Sequence, residues 1–63
     1  MDVNKKIKQY LKEHGITQAF LERKTGIPHD ILSKILSGKR KLSAQELGVI
    51  SSALGVKADI FLT

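Results

Sequence analysis

Residues 25–43, TGIPHDILSKILSGKRKLS, decide the fold. Apolar residues recur at helical spacing in this stretch and predict a short helix: Ile31, Leu32, Ile35 and Leu36. Pro28 suits the first turn of that helix, where its missing N–H has no helical partner, and Gly38 ends the helix. Three cations follow the glycine directly: Lys39, Arg40 and Lys41. The stretch therefore predicts a short helix that leads into a basic loop.

A second helix precedes this one after a very short turn. Thr17 is its candidate N-cap, Phe20 and Leu21 are its apolar residues, and Gly26 ends it. The chain then enters the next helix through the few residues around that glycine. A turn this short that contains glycine places two helices at a steep angle, which is the helix-turn-helix geometry.

The later helix of this pair has a polar side. If Leu32 and Ile35 face the core, four polar residues share the outward side: His29, Asp30, Ser33 and Lys34. A helix that presents polar residues outward, with cations at its flanks, fits the major groove of DNA. The pattern predicts that this helix reads base edges while the basic loop binds phosphates.

Further helices flank the helix-turn-helix. The first begins after Asp2, a candidate N-cap, and ends at Gly15. Ser43 and Glu46 form a capping box that opens a later helix, which Gly55 closes. These elements and a last turn supply core residues: Val3, Ile7, Tyr10, Leu11, Leu47, Ile50, Leu54, Ile60 and Phe61. Because the chain shows no alternating strand pattern, repeat or linker, residues 1–63 are expected to form a single all-α domain of five helices.

Composition narrows the class of protein. The chain has 63 residues, none of them cysteine, and 41% are hydrophobic. Disulfides, thiolate metal sites and cysteine nucleophiles are therefore excluded, and stability must come from an apolar core. No run approaches the roughly 18 apolar residues of a membrane span and no signal-peptide pattern is present, so a cytoplasmic protein is expected. Because the chain has no Ser-His-Asp set, metal-ligand cluster or glycine-rich phosphate loop, we expect no enzyme and no cofactor.

Positive charge is concentrated in residues 1–41. This part holds ten Lys and Arg residues against four Asp and Glu, whereas residues 42–63 hold one against two. A basic part joined to a near-neutral part favours one face that binds a polyanion. Lysine-rich helices can also be merely well solvated, and charge alone leaves both interpretations open.

The segment TQAFLERKTGIPHDILSKILSGKRKLS, residues 17–43, resembles the helix-turn-helix of lambda-repressor-like domains of the Cro/CI or XRE class. The likeness extends from about residue 4 to residue 62. It includes Gln18 at the start of helix 2, Gly26 in the turn, SGKRK after helix 3 and ALGVKADIFL near the end. The resemblance implies a compact five-helix domain in which helices 2 and 3 form the helix-turn-helix.

The resemblance also implies contacts with DNA. Two places are implied to bind phosphates: Thr17 and Gln18 at the start of helix 2, and Ser37, Gly38, Lys39, Arg40 and Lys41 after helix 3. For Thr17 the other interpretation is plain N-capping, and the three cations can be no more than a solvated run. The positions matched to base contacts are His29, Asp30, Ser33 and Lys34, with Pro28 at the rim.

The chemistry of these side chains leaves alternatives open. Lys34 can donate to guanine O6 and N7. Asp30 can accept from cytosine N4, or it stabilises the helix N-terminus through the helix dipole. His29 can contact a base or a phosphate, but an isolated exposed histidine often does neither.

Two places depart from the family pattern. Glu22 stands where the family usually has a small residue, so its stem must point outward or crowd the turn. Leu11 and Leu36 stand where many members have an arginine and a glutamate that form a partly buried ion pair. An apolar pair is physically consistent there, because buried ion pairs often stabilise no better than well-packed apolar residues.

The function implied is a sequence-specific, non-enzymatic regulator of transcription that binds double-stranded DNA, a repressor of phage type. One unit makes few contacts, so a homodimer on a palindromic operator is expected. Val56, Ile60 and Phe61 are its candidate interface, unless they only close the core. No small-molecule effector is evident. The alternative is a protein-binding module on the same fold, an antitoxin or adaptor, for which an exposed Ile31 would be a candidate contact.

Overall fold

Helices account for all the regular structure in the computed structural model, which describes residues 2–62. They are α1 (Val3–Glu13), α2 (Gln18–Thr25), α3 (His29–Leu36), α4 (Ala44–Leu54) and α5 (Asp59–Leu62). The predicted all-α fold with five helices is confirmed. Within these residues, no helix has the length and apolar character needed to cross a membrane.

Side-chain oxygens cap three of the helices, as the sequence predicts. Asp2 Oδ1 accepts a hydrogen bond from the Lys5 N–H at 3.3 Å, and Thr17 Oγ1 accepts one from the Phe20 N–H at 3.1 Å. The capping box of α4 is complete, because the Ser43 hydroxyl accepts from the Glu46 N–H and the Glu46 carboxylate accepts from the Ser43 N–H. Each cap satisfies a backbone donor that has no partner inside its helix.

Helix α3 begins one residue later than predicted. Pro28 has a ψ of 150°, which is not helical, and its carbonyl accepts the Leu32 N–H at 3.0 Å. Pro28 is therefore the N-cap of α3 rather than part of its first turn. The fixed φ of proline, here −58°, still sets the direction in which α3 leaves the turn.

Two glycines shape the ends of the helix-turn-helix. Gly26 has a φ of +73° after α2 and Gly38 a φ of +80° after α3, a region in which residues with a Cβ atom are disfavoured. Beyond Gly38 the Lys39 N–H donates to the Lys34 carbonyl at 2.9 Å, a bond that closes the helix end in a Schellman-type turn. The basic loop thus leaves α3 directly beside the last helical turn.

The core lies where α1, α3 and α5 meet the pair of α2 and α4. Its buried cluster contains Ile7, Leu11, Leu21, Leu32, Ile50 and Phe61. Half-buried apolar residues pack around it: Val3, Tyr10, Ile16, Ile27, Leu36, Leu42, Leu47, Ala53, Leu54 and Val56. Ile35 is also fully buried. Helix α3 packs on α1 and on α2, and the side of α3 that faces away from both helices is left for solvent.

Two apolar residues lie further out than the sequence pattern indicates. Ile60 was expected to cover the core with Phe61, but it is 45% exposed while Phe61 is 2% exposed. Consecutive residues of a helix point about 100° apart, so the single turn of α5 can turn only one of them inward. Phe20 is half-buried, and the Lys24 ammonium lies 5.7 Å from the centre of its ring.

Ser51 carries a buried hydroxyl that has no hydrogen-bond partner among the described residues. The residue is 3% exposed, so its hydroxyl has little access to bulk solvent. Ser51→Ala should raise the free energy of unfolding by about 1 kcal/mol, because it removes an unpaired polar group and improves helix propensity. Chemical unfolding of this variant, with the exposed neighbour Ser52→Ala as the control, measures the difference. A loss of stability in Ser51→Ala would show that the hydroxyl has a partner.

Candidate nucleic-acid interface

The outward side of α3 carries the four residues expected to face bases. His29, Asp30, Ser33 and Lys34 are all exposed, whereas Leu32 and Ile35 on the other side are fully buried. The predicted division of this helix into an inner and an outer side is confirmed. Its eight residues span about 12 Å, which is enough to lie along a major groove across a few base pairs.

A surface recess joins this helix face to the basic loop. Its lining residues are Asp30, Ser33, Lys34, Ser37 and Lys39. The recess thus brings candidate base contacts and candidate phosphate contacts together. Its two ammonium groups outnumber its one carboxylate, so the local charge is positive.

A polar network connects α2 to the first residue of α3. Glu22 Oε2 lies 2.6 Å from His29 Nδ1 and accepts a hydrogen bond from Gln18 Nε2 at 3.0 Å. Gln18 Nε2 also lies 3.4 Å from the His29 carbonyl oxygen. Glu22 was expected to point outward or to crowd the turn, but it lies across the turn and holds the two helices together. Its side chain is 24% exposed, against 70% for His29.

The start of α2 carries two candidate phosphate ligands, Thr17 and Gln18. Both hydrogens of the Gln18 amide group point to acceptors within the protein, so a phosphate contact requires one of those bonds to open. The oxygen of Thr17 accepts the Phe20 N–H, which confirms its capping role. Its hydroxyl hydrogen can still donate to a phosphate, so capping and phosphate contact are compatible.

Arg40 is engaged at the start of α4. Its guanidinium lies 2.6 Å from Glu46 Oε2, while Glu46 Oε1 accepts the Ser43 N–H at 3.0 Å. The backbone N–H of Ser43, and after it the Arg40 guanidinium, lower the pKa of Glu46 from its ordinary value. Within the part of the chain that the structure describes, no ion pair involves Lys39 or Lys41. Arg40 therefore differs from these two lysines in already having a carboxylate partner.

Comparison with known proteins shows the family of the chain. The family model for helix-turn-helix domains of the XRE, lambda-repressor-like type matches residues 7–61. The chain belongs to this family. The family is one of DNA-binding regulators, which makes DNA the general class of ligand for this helix-turn-helix domain. Searches of curated proteins and of solved structures gave no match.

Backbone hydrogen bonds engage both amides of the turn after α3 that the resemblance implies for a phosphate. In this helix-turn-helix domain the Ser37 N–H donates to the Ser33 carbonyl at 3.0 Å, and the Gly38 N–H donates to the Ile35 carbonyl at 3.2 Å. Both amides implied to hold a phosphate thus already close the helix end. Among residues 2–62, no acceptor takes the N–H of Arg40 or of Lys41. These two amides therefore have no protein acceptor among the described residues.

Asn4 supports the same loop, and the sequence interpretation missed it. Its side-chain amide donates to the Ile35 carbonyl at 2.7 Å and to the Arg40 carbonyl at 2.9 Å. The two bonds fix the loop to α1 on both sides of Gly38. The sequence does indicate such a role, because Asn4 lies at helical spacing on the same face as the apolar residues Ile7 and Leu11, and a polar side chain there needs a hydrogen-bond partner.

The Glu46 pair makes stability depend on pH in a defined direction. A lowered pKa in the folded state stabilises the protein above the unfolded pKa, about 4.3, and that contribution is lost as pH falls through the folded pKa. Glu46→Gln keeps the capping-box geometry but removes the charge. It should lower the free energy of unfolding by about 0.5 kcal/mol at pH 7, and that free energy should then fall less steeply with decreasing pH below pH 5. Unfolding curves from pH 3 to 7 test this, with Glu13→Gln as the control. Equal flattening in the control would contradict the assignment to Glu46.

Proposed function

We propose that this helix-turn-helix domain is a sequence-specific transcriptional regulator, a repressor of the phage type, which binds a palindromic operator as a homodimer. The observation that carries the proposal is the recess that joins the outward side of α3 to Lys39. Groups that read bases and groups that bind phosphates must be adjacent in a protein that docks a helix into a groove. This adjacency is the reason to prefer DNA recognition to a merely solvated basic surface.

Docking follows from the dimensions and charges of α3. The helix enters the major groove, which is about 12 Å wide, with its outward residues toward the base edges. Lys34 donates to guanine O6 and N7, and Ser33 donates to or accepts from either kind of base. Lys39 and Lys41, with the free amides of the loop, bind the phosphates that flank the groove. The concentration of cations in residues 1–41 attracts the domain to DNA from a distance.

The dimer and the repression are parts of the same proposal. A single domain of this size makes too few base contacts for high specificity, and two-fold symmetry doubles them. Of the candidate interface residues, Phe61 is buried and Val56 is half-buried in the core, so Ile60 is the one available to a partner. Leu62, 53% exposed on the same helix, adds to it. Occupation of the operator would then exclude other proteins from the same DNA.

A protein-binding role as an antitoxin or adaptor is the second candidate. Ile31 does not favour it, because it is half-buried rather than exposed. What favours it is an apolar groove between the starts of α1 and α4 and the end of α5, whose apolar lining residues are Val3, Leu42, Ala44, Leu47 and Leu62. Gel filtration with and without random-sequence DNA separates the two roles, because the elution volume of the protein changes on addition of DNA only if the protein binds DNA.

Selection of bound sites from a random DNA pool, followed by footprinting, tests the proposed function. The expected result is a palindromic site in which two protected half-sites lie about 34 Å apart, one helical turn of DNA. A single short protected patch with a non-cooperative binding isotherm would exclude the dimer. If no sequence were enriched, recognition of bases would be excluded and the protein-binding role would be favoured.

A further inference from the structure

The position of one proton in the network between α2 and α3 follows from geometry. Glu22 Oε2 lies 2.6 Å from His29 Nδ1, and an ionised carboxylate can only accept a hydrogen bond. Nδ1 must therefore carry the hydrogen of this contact. Gln18 Nε2 lies 3.3 Å from the same nitrogen, but it is a donor and so cannot bond to a protonated Nδ1. Its hydrogens instead go to Glu22 Oε2 and the His29 carbonyl, at 3.0 and 3.4 Å.

The other ring nitrogen of His29 is left for a ligand. All the side-chain contacts of the ring within the described residues use Nδ1, and the side chain is 70% exposed at the first position of α3. With the hydrogen held on Nδ1, a neutral ring presents Nε2 as a hydrogen-bond acceptor. In the major groove, acceptors pair with the amino groups of cytosine N4 and adenine N6.

We propose that Glu22 is a positioning residue that sets which bases His29 reads. This inference rests on the proposed function and goes beyond it. By fixing both the ring orientation and the tautomer, Glu22 directs a neutral His29 toward cytosine or adenine and away from guanine, whose major-groove edge offers only acceptors. Glu22 reaches His29 across the turn from α2, so the specificity of α3 depends on a residue that need not touch DNA.

The test combines nitrogen NMR of the ring with measured base preference. In the free protein, at a pH where its own titration curve shows the ring to be neutral, His29 should carry its hydrogen on Nδ1. Glu22→Ala should shift the population toward the tautomer with the hydrogen on Nε2, and Glu22→Gln should lie between, because its amide oxygen can still accept. Amide spectra of both variants show whether the fold is retained.

On selected DNA, Glu22→Ala should reduce the preference for cytosine or adenine over guanine at one position of the contacted strand in each half-site by about fivefold or more. Glu13→Ala makes the same change in net charge away from His29, and it should alter affinity without altering this preference. In a His29→Ala background, Glu22→Ala should change the preference no further, since the group that it positions is gone.

Three results would overturn the inference. The first is a neutral ring with its hydrogen on Nε2 in the unmodified protein. The second is a tautomer population that Glu22→Ala leaves unchanged. The third is an unchanged base preference in Glu22→Ala despite the expected change of tautomer. If no DNA sequence is selected by the unmodified protein, the proposed function fails and base reading by His29 fails with it, even where the NMR result is as expected.

Discussion

Replacing Leu11 with arginine should lower the free energy of unfolding by about 3 kcal/mol or more. Leu11 is 5% exposed and belongs to the buried cluster, so the substitution removes apolar contacts and places an unpaired charge at the edge of the core. Leu36→Glu alone should cost less, about 1–2 kcal/mol, because Leu36 is only half-buried against the same cluster. Urea unfolding monitored by circular dichroism measures both losses.

Combining the two substitutions should recover part of the loss. The resemblance to lambda-repressor-like domains implies that arginine and glutamate pair at these two positions, and α1 packs on α3 in this chain. The loss of unfolding free energy in the double variant should therefore be smaller than the sum of the two single losses by about 1 kcal/mol or more. A matched control is Leu11→Arg combined with Ser52→Ala, whose side chain is exposed on α4; that pair should be additive. Additive losses for Leu11 and Leu36 as well would show that the two positions do not interact.

Features set by neighbours along the chain could be predicted from the sequence. The caps at Asp2, Thr17 and Ser43 each join residues three apart, and the helix ends at Gly26 and Gly38 depend on their own φ angles. Such features are determined by a few consecutive residues, which can adopt only a few backbone conformations. The buried side of each longer helix followed from its spacing for the same reason, because a period of 3.6 residues fixes which side chains share a face.

Contacts between distant residues could not be predicted in this way. The Asn4 amide reaches carbonyl oxygens 31 and 36 positions further along the chain, and only the packing of α1 against α3 brings them close. The two ion pairs also depend on side-chain directions across turns. As a result, the sequence did not indicate that Arg40 pairs with Glu46, or that Glu22, expected to point its stem outward or to crowd the turn, reaches across the turn to His29.

The role of Lys34 can be separated from that of Lys39 by their positions in the recess. Lys34 lies in the last turn of α3 and Lys39 lies beyond Gly38, and both line the recess. Under the proposed function, Lys34 contacts a base edge and Lys39 contacts the DNA backbone. Lys34→Ala should weaken binding to the selected site by about 1–3 kcal/mol and relax the preference at one base pair of each half-site. Lys39→Ala should weaken binding to all sequences about equally and reduce the log–log salt slope by about one unit for each phosphate that the variant no longer binds.

Titrations of both variants on selected and scrambled DNA across a salt series measure these effects. Lys57→Ala is the control for net charge, because Lys57 is an exposed cation in the near-neutral part of the chain, outside the recess. Lys57→Ala should change the base preference less than Lys34→Ala does. It should also change the salt slope less than Lys39→Ala does. If Lys34→Ala weakened binding equally on both DNAs and kept its base preference, Lys34 would not read bases. The proposed orientation of α3 in the groove would then be wrong, since it places the exposed side chain of Lys34 at the base edges.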